Sequence, residues 1–333
     1  MRKNIKTYFL RPILASVFLF GCTLYGFGLQ AFFLVLILSV LEVTLSFDNA
    51  VVNARILKNM SPVWQKRFLT WGILLAVFGT RFVLPILIVS VAVWASPLYV
   101  TLLSLQQPGE YSALLEGVHG SISAFGGMFL LMVALKYFFD AAKSVHWIRS
   151  IERHLVSWGH IEAIEIAIAL TALTIVSAFA HYDQASILIA GLVGLILFIS
   201  MEGIAGSLSI ESKDLTSAGF TLFIYLNVLD SAFSLDGVIG AFALTTNLVI
   251  IMTGLGIGAY FVRSMTVYLV RENTLAELIY LEHGAHWAIF GLALAMFANL
   301  IVHVPEVVTG VIGLCFVLFA YYSSHKERGR LTT

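Results

Sequence analysis

The chain has 333 residues and no net formal charge, and only 11% of its residues are charged while 59% are hydrophobic. Soluble globular proteins carry about 25% charged residues, so this composition and the mean hydropathy of +0.94 exclude a soluble protein. They predict a polytopic membrane protein, with room for about ten spans of ~20 residues and no separate soluble domain.

The apolar segments predict ten membrane-spanning helices. They lie near residues 9–28, 31–52, 68–95, 119–139, 161–179, 186–205, 217–245, 247–270, 284–303 and 305–322. The connections on one side hold 16 of the 19 lysine and arginine residues, and those on the other side hold none. By the positive-inside rule both termini are predicted to be cytoplasmic, in a bacterial-type cytoplasmic membrane. The basic N-terminus also resembles a signal peptide, but the even number of spans favours an uncleaved first span.

The second predicted span contains a motif that returns in the seventh. Residues 40–49 read V-L-E-V-T-L-S-F-D-N, and residues 228–237 read V-L-D-S-A-F-S-L-D-G. Each copy places two carboxylates six residues apart in an apolar helix, namely Glu42, Asp48, Asp230 and Asp236. A charge at the bilayer centre costs about 3 kcal/mol or more, so ionisable groups there face an ion, a partner or water. Repeated acidic pairs therefore predict a cation pathway.

The similarity between the two copies extends beyond the acids. Ser46 corresponds to Ser234, Arg81 to Arg263, and His119 to His283, so spans 2–4 match spans 7–9. The offset of five spans is odd, so the copies cross the membrane in opposite directions. The predicted fold is all-α, with a first half over residues 1–180 (core repeat 31–140) and a second over 181–333 (core repeat 217–303). Five-plus-five inverted repeats of this kind form a midplane site in secondary transporters.

Two geometries of the motif remain open. Carboxylates six residues apart point about 120° apart on a regular helix, so they cannot converge on one ion. A helix unwound near Ser46–Asn49 and again near Ser234–Gly237 would bring them together and free backbone carbonyls as ligands. A straight helix would instead leave one acid as ligand and the other as proton carrier.

The donor atoms narrow the choice of ion. Carboxylate, amide and hydroxyl oxygens suit Mg²⁺, Ca²⁺ or Mn²⁺, and the absence of Cys and His from the motif argues against copper and weakly against zinc. The predicted metal ligands are Glu42, Asp48, Asn49, Asp230 and Asp236, supported by Ser46, Ser234, Arg81 and Arg263. Four acids and two arginines leave a formal charge of −2, which one divalent ion would neutralise. The two arginines either hold helices in register or act in gating.

The sequence contains few of the motifs that would indicate an enzyme. The sequence has no phosphate-binding G-x-x-x-x-G-K-[ST] loop, no H-E-x-x-H and no G-x-S-x-G. An aspartyl protease built on Asp48 and Asp236 would leave Glu42 and Asp230 unexplained. We therefore expect no enzyme, no resident cofactor and no nucleic-acid partner.

Several segments together resemble the TerC (tellurium-resistance) family of integral membrane proteins, and more closely its uncharacterised branch. They are S-F-D-N-A-V-V-N-A (46–54), S-P-V-W-Q-K-R-F-L-T-W-G-I-L (61–74), F-G-G-M-F-L-L-M (125–132), S-L-D-G-V-I-G-A-F-A (234–243) and H-V-P-E-V-V-T-G (303–310). The family is similar in turn to the LysE-like exporters. The resemblance implies cation export, chiefly of Mn²⁺ with Ca²⁺ as the alternative, through the motif acids. The second copy departs from the first because Asp236 precedes Gly237, whereas Asp48 precedes Asn49.

We therefore expect a secondary transporter that exports a divalent cation, with proton antiport as a hypothesis. One alternative is an exporter of a cationic organic solute, whose ammonium or guanidinium group would pair with the acids. The other is a membrane scaffold whose carboxylates are structural partners of the arginines. The expected partners are Mn²⁺ or Ca²⁺ and membrane lipid, and the oligomeric state stays open.

Overall fold

The computed structural model describes residues 6–58, 60–211, 215–272 and 274–331. This part of the chain forms fifteen α-helices and one π-helix. The first eight helical elements are α1 (Lys6–Leu45), α2 (Phe47–Lys58), α3 (Pro62–Leu74), the π-helix (Leu75–Val83), α4 (Leu84–Ala92), α5 (Pro97–Gln106), α6 (Pro108–Gly117) and α7 (His119–Phe138). The others are α8 (Arg149–Trp158), α9 (Ile164–Phe179), α10 (Gln184–Glu211), α11 (Leu215–Leu244), α12 (Leu248–Arg271), α13 (Thr274–Glu277), α14 (Leu281–Ala298) and α15 (Glu306–Leu331).

The helices follow the predicted spans in order. Spans 1 and 2 both fall largely in α1, where Gly28 has non-helical torsions (φ 82°, ψ −177°) at the predicted boundary. Glycine accepts a positive φ at no steric cost, which explains the kink at this position. Span 3 corresponds to α3, the π-helix and α4 in succession, and spans 4–10 correspond to α7, α9, α10, α11, α12, α14 and α15.

Four helical segments in the described residues are long and apolar enough to cross a membrane. They are Tyr8–Leu45, His119–Phe138, Gln184–Gly203 and Leu248–Arg271. Shorter apolar stretches occupy Phe78–Val91, Ile164–Phe179 and Gly219–Ser234. These lengths and compositions are those of a multi-pass membrane protein, whereas the count of ten spans, their inversion and the two predicted halves stay predictions.

The packing divides the chain into two compact units. Unit 1 comprises Met1–Ser46, Ile56–His119 and Ser212–Glu272, and unit 2 comprises Phe47–Arg55, Gly120–Glu211 and Asn273–Thr333. Each unit therefore takes segments from both predicted halves of the sequence.

Two glycines allow α1 and α12 to approach closely in unit 1. A Cβ atom at Gly258 would lie 2.5 Å from the Glu42 Cβ atom, and one at Gly254 would lie 2.5 Å from the Leu38 Cβ atom. The hydroxyl of Ser39 also donates to the Gly254 carbonyl at 3.0 Å. This G-x-x-x-G spacing is typical of close helix packing in membranes, and it brings the α1 backbone at Glu42 against α12.

We expect Gly258→Ala to separate α1 from α12 and to lower the melting temperature of the detergent-solubilised protein. The reason is that the added methyl group meets atoms near the α1 backbone, which cannot move aside as a flexible side chain can. Gly21→Ala on α1 is the control, because no atom lies within 4 Å of the added carbon. Equal melting temperatures for the two variants would contradict the packing role of Gly258.

Unit 2 is built around α7, whose apolar stretch is 78% buried, the highest fraction among the four long segments. Gly127 of α7 faces Phe297 of α14, where a Cβ atom would lie 2.9 Å from the phenyl ring. At the C-terminal end of α7 the ring of Tyr137 stacks on His286 of α14, with centroids 3.6 Å apart. These contacts fix α14 along α7 from its middle to its C-terminal end, which leads to the connection 139–163.

Candidate cation site

The first acid of the first motif copy pairs with an arginine. Glu42 on α1 accepts a hydrogen bond from Nη2 of Arg81 and another, of 3.0 Å, from the hydroxyl of Ser46. Arg81 Nη1 also donates to the Ala76 carbonyl and, at 3.3 Å, to the Thr80 hydroxyl. Both side chains of the ion pair are almost fully buried in unit 1, so the charge of Glu42 is balanced without a metal ion.

Arg81 lies in the nine-residue π-helix, which no sequence pattern predicts. The backbone N–H of Leu84 donates to the Gly79 carbonyl, five residues earlier, as the wider π-helical turn requires. Such turns are rare in proteins and frequent at functional sites. Here the π-helix carries the cationic partner of a motif acid.

The second copy repeats the pairing with equivalent residues. Asp230 on α11 contacts Arg263 on α12, with 3.1 Å between Oδ2 and Nη2. The guanidinium of Arg263 also lies 3.9 Å from the ring centroid of Phe68. A Cβ atom at Gly72 would lie 3.2 Å from Nη1 of Arg263, so the glycine leaves space for the guanidinium. Acid and arginine therefore pair at matching positions of the two motif copies.

Of the two geometries of the motif helices, the unwound one is found only in a minimal form, in the first copy. Ser46 alone separates α1 from α2, and its N–H still donates to the Glu42 carbonyl at 3.0 Å. At Ser234–Gly237 the backbone follows the second of the two geometries, the straight helix, because this segment lies inside the continuous helix α11. In an apolar environment the backbone groups released by unwinding need new partners, which favours the intact helix despite Gly237.

The second acid of the first copy lies in unit 2. Asp48 is 4% exposed, and Asn49 and Asn53 are each 1% exposed. The Asp48 Oδ1 atom accepts the N–H of Asn49 at 2.9 Å. Among the described residues, no Lys, Arg or His side chain pairs with Asp48, and the Asn53 Oδ1 atom has no hydrogen-bond partner. These residues therefore form a buried group of oxygen donors on α2.

Asp236, the second acid of the second copy, belongs to α11, but its side chain lies outside the described set. Nearby, the buried hydroxyl of Ser234 has no hydrogen-bond partner among described atoms. A Cβ atom at Gly237 would lie 3.5 Å from Oε2 of Glu42. This is an ordinary van der Waals distance, so Gly237 lies next to the Glu42 carboxylate.

The described His, Cys, Asp and Glu side chains include no group of three or more that could hold a metal ion. The structure thus brings Glu42 together with Arg81 and Ser46, and Asp230 together with Arg263. It assigns Asp48 and Asn49 to unit 2 and leaves the Asp236 carboxylate outside the described residues. The predicted five-residue ligand set stays a prediction.

Residues 47–330 match a family described as a protein of unknown function, DUF475. The chain belongs to the DUF475 family. The match includes Asp48, Asp230 and Asp236 and both paired arginines, whereas Glu42 precedes it. No curated protein and no solved structure matches the DUF475 chain. The resemblance to the TerC family therefore stays a prediction.

The DUF475 chain also contains a buried carboxylate that sequence reasoning missed. Glu152 on α8 is 0% exposed. It accepts hydrogen bonds from His283 Nδ1 (2.8 Å), Trp287 Nε1 (3.1 Å) and the backbone N–H groups of Trp147 and Ile148 (3.2 and 3.3 Å). No sequence signal distinguishes Glu152 from an exposed loop carboxylate such as Glu162, since its side-chain hydrogen-bond donors, His283 and Trp287, come from a distant segment.

The charge of Glu152 is strongly favoured in the folded DUF475 protein. Burial by itself raises the pKa of this carboxyl, but the hydrogen bonds from His283 and Trp287 and the ion pair with Lys143 (3.0 Å) bring it well below the usual 4.5. The pKa of Lys143 is also lowered, because burial disfavours its ammonium more than Glu152 stabilises it. The charged form is thus favoured for Glu152 and disfavoured for Lys143. We attribute this difference to the additional hydrogen-bond donors that only Glu152 has.

Proposed function

We propose that the chain is a secondary transporter that exports a divalent cation, Mn²⁺ first and Ca²⁺ as the alternative, from the cytoplasm. The observation that carries this proposal is the buried Asp48 carboxylate, which has no cationic side chain as partner among the described residues. An uncompensated buried charge costs several kcal/mol, so such a carboxylate takes up either a proton or a cation. Alternation between these two states is the chemistry of proton–cation antiport.

The ion pairs divide the motif acids into two roles. Glu42 and Asp230 already have arginine partners, so they position the helices and contribute little net charge. Asp48 is then the motif acid, among those described, whose charge is left for a cation, and the repeated motif gives Asp236 the equivalent role in the second copy. Asn49 and Asn53 would add hard oxygen donors on the Asp48 side. The resemblance to the TerC family and the two-copy motif support the same assignment, in a cytoplasmic membrane with both termini inside.

The test is uptake of Mn²⁺ and of Ca²⁺ into inverted proteoliposomes under an imposed pH gradient. We expect Asp48→Asn and Asp236→Asn each to lower the initial rate by about tenfold or more, since a lost charge–cation contact exceeds about 1.4 kcal/mol. Asp183→Asn is the matched control. Asp183 lies in the connection before α10 and accepts the N–H and hydroxyl of Ser186, a cap that asparagine preserves.

Retention of full Mn²⁺ and Ca²⁺ uptake by folded Asp48→Asn protein would remove Asp48 from the mechanism. Flat traces for both ions with folded wild-type protein would refute export of Mn²⁺ and of Ca²⁺. They would favour the second candidate, a membrane scaffold in which the Glu42–Arg81 and Asp230–Arg263 pairs hold helices together. The direct pairing of both arginines is the specific observation in favour of that candidate.

A further inference from the structure

The connection between α7 and α9 contains a helix with an unusual arrangement of side chains. On α8 the buried residue is the carboxylate Glu152, whereas the apolar residues Ile151 and Trp158 are 46% and 51% exposed. In a water-exposed helix the apolar residues would face the protein and the charged ones would face solvent. This outward apolar face requires a covering environment.

The residues of α8 form three faces around the helix axis. At 100° per residue, Ile151, Leu155 and Trp158 form one stripe about 60° wide. Glu152 lies about 100° from Ile151, and Arg149 and Arg153 lie on the side opposite the stripe. The helix therefore has one side toward unit 2, one apolar side and one basic side.

The contacts of Glu152 fix the rotation of α8. His283 and Trp287 of α14 donate to the carboxylate, and Lys143 from the connection lies 3.0 Å away. With Glu152 held in this way, α8 cannot turn Ile151 and Trp158 inward. The exposure of the apolar stripe is thus imposed by the fold of unit 2.

Exposed apolar residues also flank α8 on both sides in the sequence. Val145 before α8 and Ile161 after it are 39% and 45% exposed. Ala163, at φ 56° and ψ 24°, then turns the chain directly into the apolar helix α9. On α9 the large side chains of Ile175 and Phe179 are exposed as well, at the C-terminal end of the helix, which is the end farther from α8 in the sequence.

The exposed charged side chains of the connection 139–163 are those of Asp140, Arg149, Arg153 and Glu162, and the two arginines are the ones that lie on α8 itself. The charge of Glu152 is balanced by Lys143 inside unit 2. The cytoplasmic leaflet is negatively charged, so it attracts basic segments close to its surface. Tryptophan is also enriched at the level of lipid headgroups.

We infer that α8 is an interfacial helix that binds the lipid headgroup region of the membrane, with Ile151, Leu155 and Trp158 inserted at the boundary of the acyl chains. Glu152 is the positioning residue that sets its orientation. An amphipathic helix of this kind binds through buried apolar area together with attraction to anionic lipid. The inference depends on the chain residing in a membrane and is independent of the transported substrate.

The test uses full-length protein in nanodiscs of phosphatidylcholine and phosphatidylglycerol. Single cysteines replace Ile151 or Trp158 on the stripe and Ser150 or Ser157 away from it, after Cys22→Ser and Cys315→Ser. Each cysteine carries an environment-sensitive NBD fluorophore. We expect lipid nitroxides to quench the labels at 151 and 158 several-fold more than those at 150 and 157, and aqueous iodide to show the reverse order.

Equal iodide quenching at all four positions would overturn the inference, because the stripe would then face water. Labels at 151 and 158 protected from both quenchers would overturn it in favour of a protein partner, such as a second copy of the chain. Adding Glu152→Gln is expected to reduce the difference in nitroxide quenching between the labels at 151 and 158 and those at 150 and 157. An unchanged difference would remove Glu152 from the positioning role.

Discussion

Replacing Arg263 with alanine is expected to lower the free energy of unfolding by about 3–5 kcal/mol, because it leaves the buried Asp230 carboxylate without its cationic partner. The guanidinium also lies over the Phe68 ring at 3.9 Å, a contact that the substitution removes. The measurement is unfolding of the purified protein in mixed detergent micelles with increasing SDS. A large loss is expected because neither charge of this pair reaches solvent.

The control for this prediction is Arg271→Ala on the same helix. Arg271 is exposed at the C-terminal end of α12, where a cation contributes about 0.3–1 kcal/mol through the helix dipole. The double variant Asp230→Asn with Arg263→Met should recover most of the stability lost by Arg263→Ala, because no unpaired charge remains. A loss for Arg263→Ala no greater than that for Arg271→Ala would contradict a structural role of the pair.

Most of the helices could be predicted because long apolar segments leave few alternatives to a helix in a membrane. The boundary between the first two predicted spans falls at Gly28, where a positive φ interrupts α1. Short helices in polar connections, such as α8 and α13, were not predicted, since they lack the long apolar segment that marks a span.

The partners of the motif acids could be predicted less well. Repetition in the sequence relates Arg81 to Arg263 and Glu42 to Asp230, but the contact between acid and arginine depends on how α1, α11, α12 and the π-helix pack. The π-helix itself has no sequence signature, and the intact helix at Ser234–Gly237 shows that glycine alone does not break an apolar helix. The pairing sharpens the functional hypothesis because it identifies Asp48 as the motif acid, among those described, without an arginine.

Replacing Glu152 with glutamine is expected to lower the free energy of unfolding by about 3–5 kcal/mol, because the ammonium of Lys143 then remains buried without a carboxylate. Glutamine keeps the size of the side chain and can accept some of the hydrogen bonds, so the loss reports mainly the charge. Glu162→Gln is the control, since Glu162 is exposed in the same connection. The double variant Glu152→Gln with Lys143→Met should regain much of the loss.

The stability that Glu152 contributes should also depend on pH in a defined direction. Its pKa is lower in the folded than in the unfolded protein, so the contribution is complete above the usual value of 4.5 and is lost as the pH falls toward the folded-state value. The advantage of wild type over Glu152→Gln should shrink by about 1.4 kcal/mol per pH unit below 4.5. Lys143, His146 and His283 face this carboxylate. In their protonated forms they favour the ionised carboxylate, so they do not change the direction of the pH dependence. An advantage that grows on acidification would show that Glu152 is protonated in the folded protein.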